Sequence, residues 1–219
     1  MSSDTSLTKA RNAHKSGSWS ECLAACERAI AEAGAAPSDD WIAARLILGS
    51  AVCAGRIFEL VEIAIGRVAE VLTVLPESDV SRVGPARRIL GYLFEMREQG
   101  TKSANLTLAI DQFEQALVHL GRHEDLTSWA HLKVAIALDL RERLAAWAEE
   151  GVSVRDDKDY QFRRGTLERG LDLLEEALAQ FPDSEYPEEH GEVTGIIASL
   201  RELLAKLPAD EPVQERARS

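Results

Sequence analysis

The stretch KSGSWSECLAACERAI, from Lys15 to Ile30, predicts two helices joined by a tight turn. Gly17 can take the left-handed conformation that ends a helix. Ser18 then begins the next helix, and Glu21 follows three residues later, which is the spacing of a capping box. The second helix has one face of small side chains that lets the two helices approach closely, formed by Cys22, Cys26 and Ala29. The stretch therefore predicts a helical hairpin.

The remainder of the chain predicts an all-α fold of about nine helices. Apolar residues recur at spacings of three and four, and no alternating strand pattern interrupts them. Of the 219 residues, 45% are hydrophobic and only 5% are aromatic, and this composition favours helices. The expected helix ends lie at Gly or Pro, namely Gly17, Gly34 to Pro37, Gly55, Pro76, Gly100, Gly121, Gly151, Pro182 and Pro208.

The hairpin pattern returns three more times. The second copy begins at Leu46 with LILGSAVCAGRIFELVEIAI and has Gly55 at the turn. Arg67, two residues after this stretch, takes the position that Ala29 has in the first hairpin. The third copy contains AIDQFEQAL, whose matching residue is Ala116. The fourth ends in GLDLLEEALAQFP, whose matching residue is Ala177. A fixed period of helical pairs is typical of a helical repeat protein.

These motifs resemble tetratricopeptide repeats. The resemblance implies a single domain over residues 1–207, built as an α-solenoid of about four antiparallel helix pairs with a C-terminal capping helix. The pairs would span about 5–36, 39–75, 79–121 and 125–182, and the cap would span 190–207. The charged segment 145–165 predicts a helix end followed by a mobile loop. Residues 208–219 are expected to form a disordered tail.

A narrower likeness covers roughly residues 5–182 and is carried by residues 90–144. Gly100 leads to Asn105-Leu106 and then Ala109-Ile110, and Trp129-Ala130 begins the next helix. This order is similar to the long-period bacterial repeats that accompany CHAT proteases and multidomain signalling ATPases. The resemblance implies a bacterial adaptor whose protein partner is an effector enzyme or a signalling ATPase.

Charge and composition limit the function. With 25 basic and 37 acidic residues, the formal charge is −12, which disfavours binding to a phosphate backbone. No stretch approaches the roughly 20 apolar residues that span a bilayer, and the first residues lack the apolar core of a secretory signal. Three cysteines do not make a disulfide framework. We therefore expect a cytoplasmic protein that binds neither nucleic acid nor membrane.

Two groups of residues could hold a metal, and both have a simpler explanation. Cys22, Cys26 and Cys53 could ligate a soft metal, but cysteine also packs as a small apolar residue inside hairpins. His119 and His123 have the spacing of a helical zinc pair, but Gly121 between them indicates a loop. No nucleophile elbow or phosphate-binding loop is present. We predict no enzyme activity, no metal and no cofactor.

The family resemblance implies that the first helix of each pair lines a concave groove in which partner segments bind. In this acidic chain the groove stripe carries more basic than acidic side chains, which favours an acidic partner segment because guanidinium groups bind carboxylates. The predicted groove residues are Arg11, His14, Lys15, Arg88, Tyr92, His131 and Arg141.

The function predicted from sequence is a noncatalytic protein-interaction scaffold or regulatory adaptor. One alternative is a homo-oligomer that assembles through its hairpins. The third, ranked last, is a metal-dependent enzyme that uses His119 and His123.

Overall fold

The structure is a computed structural model, and it describes residues 5–34, 37–120, 126–152 and 157–207. Within these ranges the chain forms only helices, which confirms the all-α prediction. One 3₁₀ turn, Phe58–Leu60, precedes the fourth α-helix. The α-helices are α1 Ser6–Lys15, α2 Trp19–Ala33, α3 Asp39–Gly55, α4 Val61–Val74, α5 Val80–Met96, α6 Lys102–His119, α7 Leu126–Glu149, α8 Asp157–Leu178 and α9 Pro187–Lys206.

The chain divides into two compact units, Met1–Thr101 and Lys102–Ser219. The first contains α1 to α5, and each helix packs against the next. In addition, α1 packs against α3 and α3 packs against α5, so alternate helices of this unit are neighbours. The second unit contains α6 to α9, again packed in consecutive pairs, with a further contact between α7 and α9.

The first hairpin shows why its sequence contains glycine and tryptophan. Gly17 has φ 71°, and the Ser18 amide bonds to the Ala13 carbonyl at 2.9 Å, which closes the end of α1. The Trp19 ring packs against Gly55, where a methyl group would lie 3.0 Å from two ring carbons. The predicted capping box does not form. The Ser18 side chain makes no capping bond, and the Ser18 amide donates to the Ala13 carbonyl instead of to Glu21.

Helices α2, α4, α6 and α8 share a burial pattern that extends the small-residue face of the first hairpin. Three positions spaced by four and then three residues are buried in each. The first of them is always small, being Cys22, Ala64, Ala109 and Gly170. The last is alanine or valine, being Ala29, Val71, Ala116 and Ala177. Small side chains at both ends of the pattern let neighbouring helices approach closely.

The predicted register of the second hairpin is wrong by one helical turn. Val71, not Arg67, occupies the buried position, because α4 begins only after the 3₁₀ turn Phe58–Leu60. The Arg67 side chain is 34% exposed and pairs with Glu70. The predicted turn at Gly55 also shifts, since α3 continues through Gly55 and the left-handed residue is Arg56, with φ 50°.

The predicted helix end and loop over 145–165 are correct at the start of this segment and wrong at its end. α7 continues to Glu149, in agreement with the predicted helix end, but α8 already begins at Asp157, so the described part of the loop is residues 150–152. Tyr160 and Leu167 are buried although charged residues surround them, and they hold the start of α8 against the unit's core. The predicted tail, 208–219, lies outside the described residues.

Candidate protein-binding surface

Helix α1 is basic in an acidic chain. Its sequence, SLTKARNAHK, contains Lys9, Arg11 and Lys15 and no acidic residue. All three cations are exposed, and none of them forms an ion pair with a residue in the described ranges. Leu7, Ala10 and Ala13 bury the opposite side of the helix. The fold therefore holds three cationic side chains in solvent without neutralising them.

Arg11 lies in a depression that α1, α3 and α5 form together with the turn before α5. The depression has a volume of about 420 Å³, and Ile42, Ala43 and Leu46 of α3 supply its apolar wall. Its acidic residues are Asp39 and Asp79, and both are ion-paired with Arg82. Hydrogen bonds from Arg82 lower the pKa of the Asp79 carboxyl. Because Arg82 binds both acids, neither carboxylate forms an ion pair with Arg11, although the two cations and two acids of the depression balance in charge.

His14 and Lys15 continue the surface toward the C-terminal end of α1. The His14 ring nitrogen Nε2 lies 2.9 Å from the Ser50 hydroxyl of α3, and the ring meets Trp19 edge-on at 5.6 Å. This half-buried histidine is thus fixed in orientation by two contacts. Lys15 is exposed at the end of the helix, where a cation interacts favourably with the helix dipole.

The α5 residues of the predicted groove are more enclosed than those of α1. Arg88 and Tyr92 are half-buried, and both make contacts within the structure. Glu95 is exposed one turn further on, and Met96 packs against the core of the first unit. Arg88 and Tyr92 are therefore held in place by their own neighbours, which distinguishes them from the solvated cations of α1.

Two other cations that could have bound a partner are used inside the fold. Arg45 lies over the Trp41 ring at 3.5 Å and bonds to Glu70 of α4 at 3.1 Å. The second unit repeats this arrangement, with a buried lysine over a tryptophan ring and bonded to a glutamate of the next helix, formed by Lys133, Trp129 and Glu176. In both, the cation packs on an aromatic face one turn away and links two helices.

The remaining predicted groove residues, His131 and Arg141, lie on α7 in the second unit. The His131 ring is 5.1 Å from that of Phe181, which follows α8. Arg141 lies ten residues further along α7 beside a pocket lined by α8 and α9. Between them, Val134 is buried and Leu138 packs into the core, so this part of the predicted stripe is covered by the unit itself.

The cysteines pack as small apolar residues. Cys22 and Cys26 are fully buried in the core of the first unit, and Cys53 packs against the same core. Burial raises the pKa of the Cys22 and Cys26 thiols and raises that of Cys53 to about 12. Such thiols remain protonated and unreactive near neutral pH.

The described residues contain no cluster of three or more metal-ligating side chains. His119 ends α6, is half-buried and makes contacts within the structure. His123, its predicted partner in a zinc pair, lies outside the described ranges, as does Gly121.

Sequence reasoning missed Lys9 and Arg28. These two cations line a depression between α1 and α2 with a volume of about 690 Å³, together with the hydroxyls of Ser16 and Ser20. The signal was present in the sequence, because α1 has three cations and no acid in ten residues. The predicted groove residues came from the family resemblance, which implies only one face of the helix as the binding face.

A scan against protein-family models finds no match to the chain, and a search of curated proteins finds no similar sequence. None of the described helices combines the length and the apolar composition needed to cross a bilayer.

Proposed function

We propose that the chain is a noncatalytic protein-interaction scaffold or regulatory adaptor that binds an acidic segment of a protein partner. The observation that carries the proposal is the uncompensated positive charge of α1 in a chain of charge −12. The binding surface, which we call the α1 surface, consists of Arg11, His14, Lys15 and the apolar wall at Leu46.

Arg11 and Lys15 are exposed and hydrated, so leaving them unpaired costs the fold little and keeps their charge free for a partner. An acidic protein has many carboxylates that could form ion pairs with its cations. Outside α1, such carboxylates pair with Arg45, Arg82 and Arg97. The α1 surface is not neutralised in this way by the described residues. A partner that brings carboxylates to Arg11 and Lys15 gains charge-assisted hydrogen bonds, and its apolar side chains can bury the exposed part of Leu46.

The helix arrangement of the first unit supports a tetratricopeptide-like solenoid as the framework of this surface. Alternate helices α1, α3 and α5 are neighbours, and α2 and α4 pack behind them. In a solenoid of this type the first helices of successive pairs form one wall that is available to a partner. The resemblance to signalling-associated bacterial repeats makes an effector enzyme or a signalling ATPase the proposed partner.

The test is quantitative capture of partners from the native cell with charge-reversed variants. Arg11→Glu combined with Lys15→Glu should reduce the recovered partner by about tenfold, because attraction to carboxylates becomes repulsion. The matched control is Arg56→Glu combined with Lys206→Glu, which makes the same change in net charge at exposed cations outside the α1 surface. Equal loss of the partner with both double variants would contradict the proposal, and so would equal recovery with both.

Self-assembly through the helical hairpins is the alternative function. The same capture experiment distinguishes it from the adaptor function. Tagged protein that recovers mainly untagged copies of this chain would favour the homo-oligomer. A different protein recovered in stoichiometric amount, and lost with the α1 variant, favours the adaptor.

A further inference from the structure

The second unit contains an apolar pocket between α7, α8 and α9, distinct from the α1 surface. Its volume is about 460 Å³, which is within the range typical of small-molecule sites. Leucines from all three helices form the walls, namely Leu144 of α7, Leu167 of α8 and Leu203 of α9, together with Leu207 just after α9. Leu203 is 38% exposed, so the pocket opens a part of the leucine-rich interior to solvent. Burying this apolar area is the largest favourable term available to a ligand.

Two arginines border the leucine walls. Arg141 of α7 and Arg163 of α8 both line the pocket. The Arg163 side chain donates one hydrogen bond to the Val152 carbonyl at 2.6 Å, which leaves most of its five N–H donors for other acceptors. The pocket therefore combines an apolar interior with two cationic groups at its border.

The charge of Arg141 is only weakly compensated. Its nearest carboxylate is that of Glu142, at 4.0 Å, and the Arg141 side chain is 30% exposed. The same carboxylate binds Lys102 more closely, at 3.0 Å. Glu142 thus lies within ion-pair distance of two cations, Lys102 and Arg141. Arg163 forms no ion pair with a described residue. The local charge at the pocket is positive although the chain as a whole is acidic.

We propose that this pocket binds a medium-chain carboxylate, with the alkyl chain among the leucines and the carboxylate between Arg141 and Arg163. A planar carboxylate matches the donor geometry of a guanidinium group. Glu142 also lines the pocket, so two cations and one carboxylate border it and one positive charge remains in excess. A neutral alkyl ligand would fill the walls but would leave Arg163 without an anion.

The test uses the full chain and decanoate as the probe, measured by isothermal titration calorimetry. Saturable binding of one decanoate per chain is expected, with weaker binding of decanol and of decyltrimethylammonium. Arg141→Gln combined with Arg163→Gln should weaken decanoate binding by about tenfold and should leave decanol binding nearly unchanged, because only the charge-assisted bonds are lost.

A second pair of variants tests the apolar part of the pocket. Ala145 lines the pocket and is itself exposed, so Ala145→Phe fills the space without disturbing the core. This variant should reduce decanoate affinity at least tenfold, or about 1.4 kcal/mol. Ala198→Phe, at an exposed alanine of α9 that does not line the pocket, is the matched control and should bind like the native chain. Far-UV circular dichroism checks that all variants keep their helices.

Several results would overturn the proposal. These are the absence of saturable decanoate binding, equal binding of decyltrimethylammonium, and binding that survives both Ala145→Phe and the double arginine variant. An acidic peptide that binds at the pocket where decanoate does not would make the pocket a protein-docking site, against the proposal. Because Arg11 and Lys15 lie in the other unit, their variants test the α1 surface independently.

Discussion

Gly49 lies where α4 and α5 both reach the middle of α3. A methyl group at Gly49 would lie 2.6 Å from Cγ2 of Val68 and 2.8 Å from Cγ2 of Ile89. Normal carbon contacts are about 3.5–4.0 Å, so both neighbours would have to move. Each is a β-branched side chain with little rotamer freedom. Gly49 is therefore required for close packing of three helices.

We predict that Gly49→Ala destabilises the protein despite the better helix propensity of alanine. Overpacking costs about 1–3 kcal/mol, against a propensity gain of about 1 kcal/mol, so the net loss is up to about 2 kcal/mol. Urea denaturation followed by circular dichroism measures it. Gly66→Ala is the control, because nothing lies within 4 Å of a methyl group there. It should raise stability by up to about 1 kcal/mol. Stabilisation by both substitutions would contradict the packing of α3 against α4 and α5.

Individual residues were predictable from the sequence where local chemistry determines them. Gly17 in its left-handed turn and the buried Cys22 and Cys26 follow from hairpin spacing alone. The contacts of Trp19 with Gly55 and of His14 with Ser50 were not predictable, because they join residues that are far apart in the chain. Such contacts depend on how α1 and α3 pack, and helical periodicity does not specify that packing.

At the scale of helices, the start of α6 is held by a residue just beyond α7. The Glu150 carboxylate accepts hydrogen bonds from the Ser103 amide at 3.0 Å and from the Ser103 hydroxyl at 2.5 Å. These bonds lower the pKa of Glu150. They satisfy an amide that the first turn of a helix leaves without an intrahelical partner. Glu150 therefore joins the beginning of α6 to the end of α7.

We predict that Glu150→Gln lowers the melting temperature at pH 7, and that the loss disappears in acid. A lowered folded-state pKa stabilises the fold above the unfolded pKa, about 4.3 for glutamate, and this stability is lost as the pH falls through the folded-state value. Melting curves of both proteins between pH 7 and pH 3 measure the effect. Glu149→Gln, at the exposed neighbour, is the control and should show little change at any pH. A difference for Glu150→Gln that persists at pH 3 would contradict this cap.

The sequence predicted which segments form helices better than it predicted the residues at which those helices start. Spacing of apolar residues predicted α2, α6 and α8 with their alanines at buried positions. α4 was misplaced by one turn because counting began at Gly55, whereas the helix starts after a 3₁₀ turn. The start of α8 was missed because its charged residues suggested a loop, although Tyr160 and Leu167 have helical spacing and are buried. Charge density is a weaker indicator than apolar periodicity.

At the scale of the whole chain, two features determine the proposals. The chain comprises two compact units, each with its own core, and the boundary at residues 101 and 102 falls within the third predicted repeat. The predicted single domain stays a prediction. Charge is distributed unevenly, since α1 and the pocket of the second unit carry available cations in an acidic protein. The sequence predicted the cation excess from a family resemblance, whereas the structure locates it on particular helices.

Selection of peptides from an unbiased display library on the purified chain tests the central claim most directly. The account predicts that the selected peptides are enriched in aspartate and glutamate, that their binding weakens as salt is raised, and that the Arg11→Glu, Lys15→Glu variant no longer selects them. Peptides without acidic enrichment, or the same acidic peptides selected equally by that variant, would contradict the assignment of the α1 surface as the binding site.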